Sequence, residues 1–137
     1  MINSRSLSDL NPKVAAMCSE FINRCKAQGI DVIITSTYRD GEAQNKLYAQ
    51  GRTEPGKKVT NAKAGESFHN WHVAFDFCPI VNGKADWSNT ATFTKCGEIG
   101  ESIGLEWAGR WKTFKEMAHF QYTGGLTLAD FQSGQTL

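Results

Sequence analysis

No stretch of this chain is apolar enough to cross a bilayer, since no run approaches the roughly 18 residues that a spanning helix needs. An excess of charge is missing too. Its 15 basic and 14 acidic residues leave a formal net charge of +1, which removes the bulk electrostatic case for nucleic acid or an anionic membrane as partner. The opening residues, MINSRSLSDLNPK, hold no apolar segment of a secretory signal, so synthesis and folding in a cytoplasm are expected. Among the four cysteines there is no C-x-x-C pair. Cys18 and Cys25 share a helical face, while Cys78 and Cys96 lie far along the chain, so buried reduced thiols are expected rather than a zinc–cysteine cluster. Repeats, low-complexity tracts and linkers are absent as well.

What remains is ordinary in bulk. With 137 residues, 40% of them hydrophobic and 21% charged, one domain with a sizeable core is expected. Val14, Met17, Cys18, Phe21, Ile22 and Cys25 recur at helical spacing and predict a helix over 12–28, capped by Asn11, begun by Pro12 and ended by Gly29. DVIITSTY, Asp31 to Tyr38, is rich in β-branched residues and predicts a strand. Asp40 caps a second helix over 41–50, and a third runs from Thr90 to Ile103 before Gly104. Val73 to Ile80 reads as a strand followed by an Asn-Gly turn, and Leu105–Ala108 and His119–Tyr122 read as short strands. Arg52 to Glu66 is a long polar loop, and loops of that length in small domains tend to be functional. The fold class is α+β, a small, mostly antiparallel sheet with packed helices.

Against this background SFHNWHVAFDFCP, Ser67 to Pro79, is odd. It holds His69 and His72, two of the three histidines, and sets Asp76 between two phenylalanines. Strand alternation sends Phe75 and Phe77 to the core and Ala74, Asp76 and Cys78 the other way. A carboxylate there is costly unless it is paired or bound to a cation. The remaining histidine, His119, stands in EMAHFQY, again among apolar neighbours. Two histidines and a carboxylate with a fourth position open is a recurrent catalytic zinc arrangement. Glu116, three residues before His119, is near enough to serve as a base without binding the metal. Spacing alone leaves the ligands open. His72 can replace either histidine, and His69, His119 and Asp76 can equally be two core histidines and a turn cap.

These residues resemble the phage endolysin L-alanyl-D-glutamate peptidases, within the larger family of zinc D-Ala-D-Ala carboxypeptidases and dipeptidases. The family pattern Ser-x-His-x-x-Gly-x-Ala-x-Asp stands here as Ser67-Phe-His69-Asn-Trp-His72-Val-Ala74-Phe-Asp76. Its later Asp/Glu-x-x-His stands as Glu116-Met-Ala-His119, and its arginine motif as STYRDGEAQNKLYAQGRT, Ser36 to Thr53, which resembles the endolysin branch. The likeness continues through PGKKVTNAKAGESFHNW and covers about Ile33 to Phe131. Three departures accompany it. Histidine replaces glycine at 72, where a tight or left-handed backbone is expected. Ala118 replaces a proline, and Glu116 the aspartate commoner in this branch.

The resemblance implies a hedgehog/D-Ala-D-Ala peptidase-like fold in which His69, Asp76 and His119 bind Zn2+ and Glu116 is the general base. Arg39 would bind substrate or steady the developing oxyanion, Ser67 would hydrogen-bond substrate or a ligand, and Gln44 would face the cleft from the second helix. His72 would crowd the metal or hydrogen-bond a ligand from behind. Trp71 and Trp111 would line the cleft, with Trp107 in the core. Lys57, Lys58 and Lys63 belong to a solvated loop or meet the anionic wall. The activity implied is hydrolysis of peptidoglycan stem peptides between L-Ala and D-Glu, leading to cytolysis and an antimicrobial effect. The alternatives are a D-Ala-D-Ala carboxypeptidase or dipeptidase, and a catalytically silent zinc-binding module, against which Glu116 argues. Further expectations are a monomer, one catalytic domain over 1–137 with no separate wall-binding domain, bacterial peptidoglycan as partner, and no nucleic acid or membrane insertion. The protein would stay in the host cytoplasm until a holin-type export partner releases it to act in the periplasm.

Overall fold

The structure, a computed structural model, describes residues 1–137. Helix α1, Pro12–Ala27, begins where Asn11 accepts the Lys13 N–H, and the chain leaves it through Gly29 at φ +77°. Its stripe of Val14, Cys18, Phe21 and Cys25 is fully buried. Strand β1, Asp31–Ser36, leads to helix α2, Gly41–Ala49, capped by Asp40. Strand β2, Ala74–Val81, turns through Asn82 and Gly83, both at positive φ, into the short β3, Lys84–Ala85. Helix α3, Thr90–Ile103, precedes β4, Glu106–Trp107, and β5, His119–Gln121. Helix α4, Leu128–Gln132, ends the order.

The strands form one antiparallel sheet in the order β1-β2-β5-β4, with β3 paired to the end of β2. Phe21 of α1 lies on the sheet, its ring 5.1 Å from Phe77 and 4.8 Å from Phe120. Ala74 and Cys78 are as buried as Phe75 and Phe77, so this stretch of β2 is covered on both faces. All four cysteines are buried and unpaired. Burial pushes the Cys18 thiol up to about 12. Helix α3 comes close to β4 and β5 at two glycines. A Cβ at Gly97 would run into the Trp107 ring, and one at Gly100 into the Phe120 ring.

Strand β1 stops at Ser36, short of the expected Tyr38, because the chain there takes up other partners. The Thr37 N–H donates to Ser4 O, and Tyr38 O accepts the Ser4 N–H, both at 2.8 Å. Residues near the N-terminus thereby flank the segment that carries Arg39. The long polar loop is organised around Arg52, whose guanidinium donates to Tyr48 O at 2.7 Å, Thr60 O at 2.9 Å and Asn61 Oδ1 at 3.0 Å. No helix is long and apolar enough to cross a membrane.

Candidate metal centre and active site

The sheet register assembles the centre. An irregularity between Ile34 and Ser36 re-aims the end of β1 and sets Ser36 opposite Asp76, while β5 sets His119 opposite the same aspartate. His69 arrives from outside the sheet, on a single 3-10 turn, Phe68–Trp71. Ser67 caps that turn by accepting the His69 N–H at 3.2 Å, and Asn70 Oδ1 accepts the Ser67 N–H at 3.1 Å. Asn70 Nδ2 also donates to Arg39 O at 2.8 Å, while the Arg39 N–H donates to His69 O at 3.1 Å. The histidine turn and the arginine segment are thus fastened together.

His69 Nε2 and His119 Nδ1 each lie 3.1 Å from Asp76 Oδ1. The three ligand atoms fall within 4.8 Å of one another. Both histidines are buried. The outer nitrogen of each is committed. His69 Nδ1 lies 2.8 Å from Thr37 O, a carbonyl that can only accept, so this nitrogen carries the hydrogen. His119 Nε2 lies 2.9 Å from Gln121 Oε1 in the mirror arrangement. Two imidazole lone pairs and a carboxylate oxygen therefore converge on one point. Such a set repels itself unless a cation or a proton sits within it, and two nitrogens with one carboxylate suit a divalent ion such as zinc. Burial alone would raise the Asp76 carboxyl, but the facing His69 and His119 hold it far below the usual carboxylate range. Burial alone would lower His119, yet the hydrogen bond and charge of Asp76 carry it above the ordinary histidine value.

Glu116 stands at the opening. Its carboxylate is about half exposed, and Oε2 lies 3.7 Å from His119 Nδ1. Across the site, Arg39 Nη1 donates to Gln44 Oε1 at 2.9 Å and Nη2 to Ser36 Oγ at 3.3 Å. The buried Nε of Arg39 has no partner within the protein. Burial lowers this guanidinium from the ordinary arginine value, opposed by Asp76 and Glu116. It remains a cation because arginine does not give up its proton in proteins. Ser67 caps the turn and also lines the cleft.

Three expected placements need correction. Gln44 does not face the cleft, because it is fully buried and its amide is consumed by Arg39 and by Ala62 O at 2.8 Å. It fixes the arginine rather than touching substrate. His72 neither crowds the centre nor backs a ligand. It adopts the left-handed conformation expected of the glycine position, at φ +64° and ψ +21°, which turns its ring outward. There it stacks on Tyr38 at 3.9 Å, and Nδ1 donates to Asp9 O at 2.6 Å. Trp71 is likewise diverted from the cleft. Its indole donates to Gly65 O at 3.0 Å and its ring stacks on Phe131. Trp111 does line the cleft and Trp107 is in the core. Ser36 and Gln121 went unnoticed in the sequence. Gln121 had a signal, since it lies two residues past His119 on the same strand face.

The pocket around Arg39, Asp76 and the two histidines, about 350 Å³, shares Val59, Thr60, Ser67, Glu116 and His119 with a groove of about 780 Å³. That groove runs between the 58–62 part of the polar loop and the Trp111–Glu116 segment.

A buried two-histidine, one-aspartate cluster on a small antiparallel sheet, flanked by a free carboxylate and a fixed guanidinium, defines a metallopeptidase-like domain. The chain belongs to the VanY D-alanyl-D-alanine carboxypeptidase family, whose model matches residues 7–125. It is 37% identical over 129 residues to the peptidoglycan L-alanyl-D-glutamate endopeptidase CwlK of Bacillus subtilis strain 168, covering 83% of this chain and 74% of that protein. Its fold is similar to that of the Serratia marcescens L-Ala D-Glu endopeptidase ChiX, with a TM-score of 0.66, 19% identity and coverage of 95% of this chain and 92% of the other. It is also similar to a mutant of the vancomycin resistance D,D-pentapeptidase VanY solved with Zn(II), with a TM-score of 0.64, 15% identity and coverage of 90% and 83%.

Proposed function

We propose that this protein is a zinc-dependent peptidase that hydrolyses peptidoglycan stem peptides at the L-Ala–D-Glu bond. The observation that carries the reading is the commitment of both outer imidazole nitrogens, which leaves the inner lone pairs of His69 and His119 converging on Asp76. These three residues would hold the ion, which when bound supplies Lewis-acid polarisation of the scissile carbonyl and an acidified water. Glu116, at the rim, takes a proton from the attacking water on a carboxylate oxygen and delivers it to the leaving amine. Arg39 offers its unpartnered buried Nε–H to a substrate oxygen, and Gln44 and Ser36 hold the guanidinium still while it does so. The continuous groove beside the pocket supports an internal cut, because chain on both sides of the bond needs room. The 37% identity to CwlK supports the same bond.

Mass analysis of fragments from digested, purified peptidoglycan tests this. Peptides beginning with D-Glu, with L-Ala left on the glycan side, are expected. Release of single D-Ala residues instead would replace the reading with the D,D-carboxypeptidase one.

The setting we assign is phage lysis, with the protein held in the host cytoplasm and reaching the periplasm through a holin-type partner. The support is the likeness of Ser36 to Thr53 to the endolysin branch. Cells expressing the protein alone should stay intact and should lyse when a membrane-permeabilising partner is added. Lysis without such a partner would refute this setting.

A further inference from the structure

We propose that Glu106 is a positioning residue for the metal centre and that, through Gln121, it fixes which nitrogen of His119 carries the hydrogen, so that Nδ1 faces Asp76 with its lone pair. The inference rests on the metal-site reading above. Strands β4 and β5 place Glu106 directly opposite Gln121. Gln121 Nε2 donates to Glu106 Oε2 at 2.9 Å, and the Trp111 indole N–H donates to Glu106 Oε1 at 3.4 Å. An ionised carboxylate accepts and cannot donate. The Gln121 amide must therefore turn its NH2 towards Glu106 and its oxygen towards His119. That oxygen in turn requires a hydrogen on His119 Nε2, 2.9 Å away, and leaves the Nδ1 lone pair for the centre.

The alternative amide orientation has almost the same shape. It would put an NH2 donor against Nε2, demand a lone pair there and move the hydrogen to Nδ1, where a metal must bind. Gln121 and His119 are only 3% and 5% exposed, so bulk water does not mediate between the two arrangements. The acceptor-only character of Glu106 decides between them. Glu106 itself is exposed, yet its strand is held firmly. The Trp107 ring lies against Gly97 and Gly109, at both of which a side chain would collide with it. Replacing Glu106 therefore opens no core. Through Trp111 the same carboxylate also steadies one wall of the groove.

The test is zinc affinity, measured by chelator competition on purified protein, with the melting temperature of each metal-free variant recorded alongside. Glu106→Lys places a donor opposite Gln121 and turns its amide, so zinc affinity should fall by about 10- to 100-fold, the range typical of lost ligand-orienting partners. Glu106→Gln can still present an acceptor and should lose less than Glu106→Lys. The double variant Glu106→Lys/Gln121→Glu restores an acceptor-only group against His119, held by a donor on β4, and should recover affinity. A merely structural role predicts lower melting temperatures with no change in zinc affinity and no rescue. Wild-type affinity in Glu106→Lys, or a double variant as weak as the single one, overturns the proposal while leaving the metal site standing. A wild-type protein that takes up no zinc overturns both.

Discussion

The chain between Ser67 and Asp76 has an inner side and an outer side, and each carries one histidine. His69 on the inner side is 3% exposed, tied through Nδ1 to Thr37 O and aimed through Nε2 at Asp76. His72 on the outer side is exposed, stacked on Tyr38 and bonded to a backbone carbonyl near the N-terminus. Residue type is the same for both, and each follows an aromatic residue in the sequence. The difference comes from backbone conformation: His69 belongs to the 3-10 turn, whereas His72 has the left-handed φ that ends it. That reversal sends the chain into β2 and turns the second ring away from the centre. The same imidazole is thus a chemical group on one side and a fastener on the other.

On the inner side, the largest effect is expected from Glu116→Gln. Glutamine keeps size and hydrogen bonding but cannot take the water's proton, so turnover should fall on the order of 10²- to 10⁴-fold with zinc content unchanged. Turnover assays on metal-quantified protein check this, and near-normal rates would remove Glu116 from the mechanism.

On the outer side the expected effect is small. His72→Gly relieves a left-handed strain worth roughly 1–2 kcal/mol but loses one hydrogen bond, worth about 0.5–1.5 kcal/mol, and the Tyr38 stack. Added chain flexibility in the unfolded state, about 0.4–1 kcal/mol, offsets more of the gain. Denaturant unfolding should therefore show a change within about 1 kcal/mol, with zinc content and turnover at wild-type level. A large loss of turnover would return His72 to the site.

The legible parts of the molecule were those with local signals. Helices α1, α2 and α3 lie within one residue of their expected bounds, because Asn11, Asp40, Gly29 and Gly104 punctuate them and their apolar residues keep helical spacing. Strand β2 was displaced by only one residue. One-turn elements such as Phe68–Trp71 and Leu128–Gln132 are too short to show periodicity in the sequence. Thr127 and Asp130 nevertheless form a capping box that marks the second. Within the site, the resemblance supplied His69, Asp76, His119, Glu116 and Arg39, and the fold brings all five together. Ser36, Glu106 and the buried place of Gln44 depend on cross-strand register and burial, which no spacing along the chain encodes, whereas Gln121 is marked along the chain only by its place two residues past His119.

On the proposed metal site, the inner histidine holds the ion and the outer one does not. Zinc content of His69→Ala and His72→Ala, purified side by side and confirmed as folded, tests it directly. His69→Ala should lose its zinc, while His72→Ala should keep one ion per chain. Full zinc in His69→Ala together with its loss from His72→Ala would exchange the roles of the two histidines.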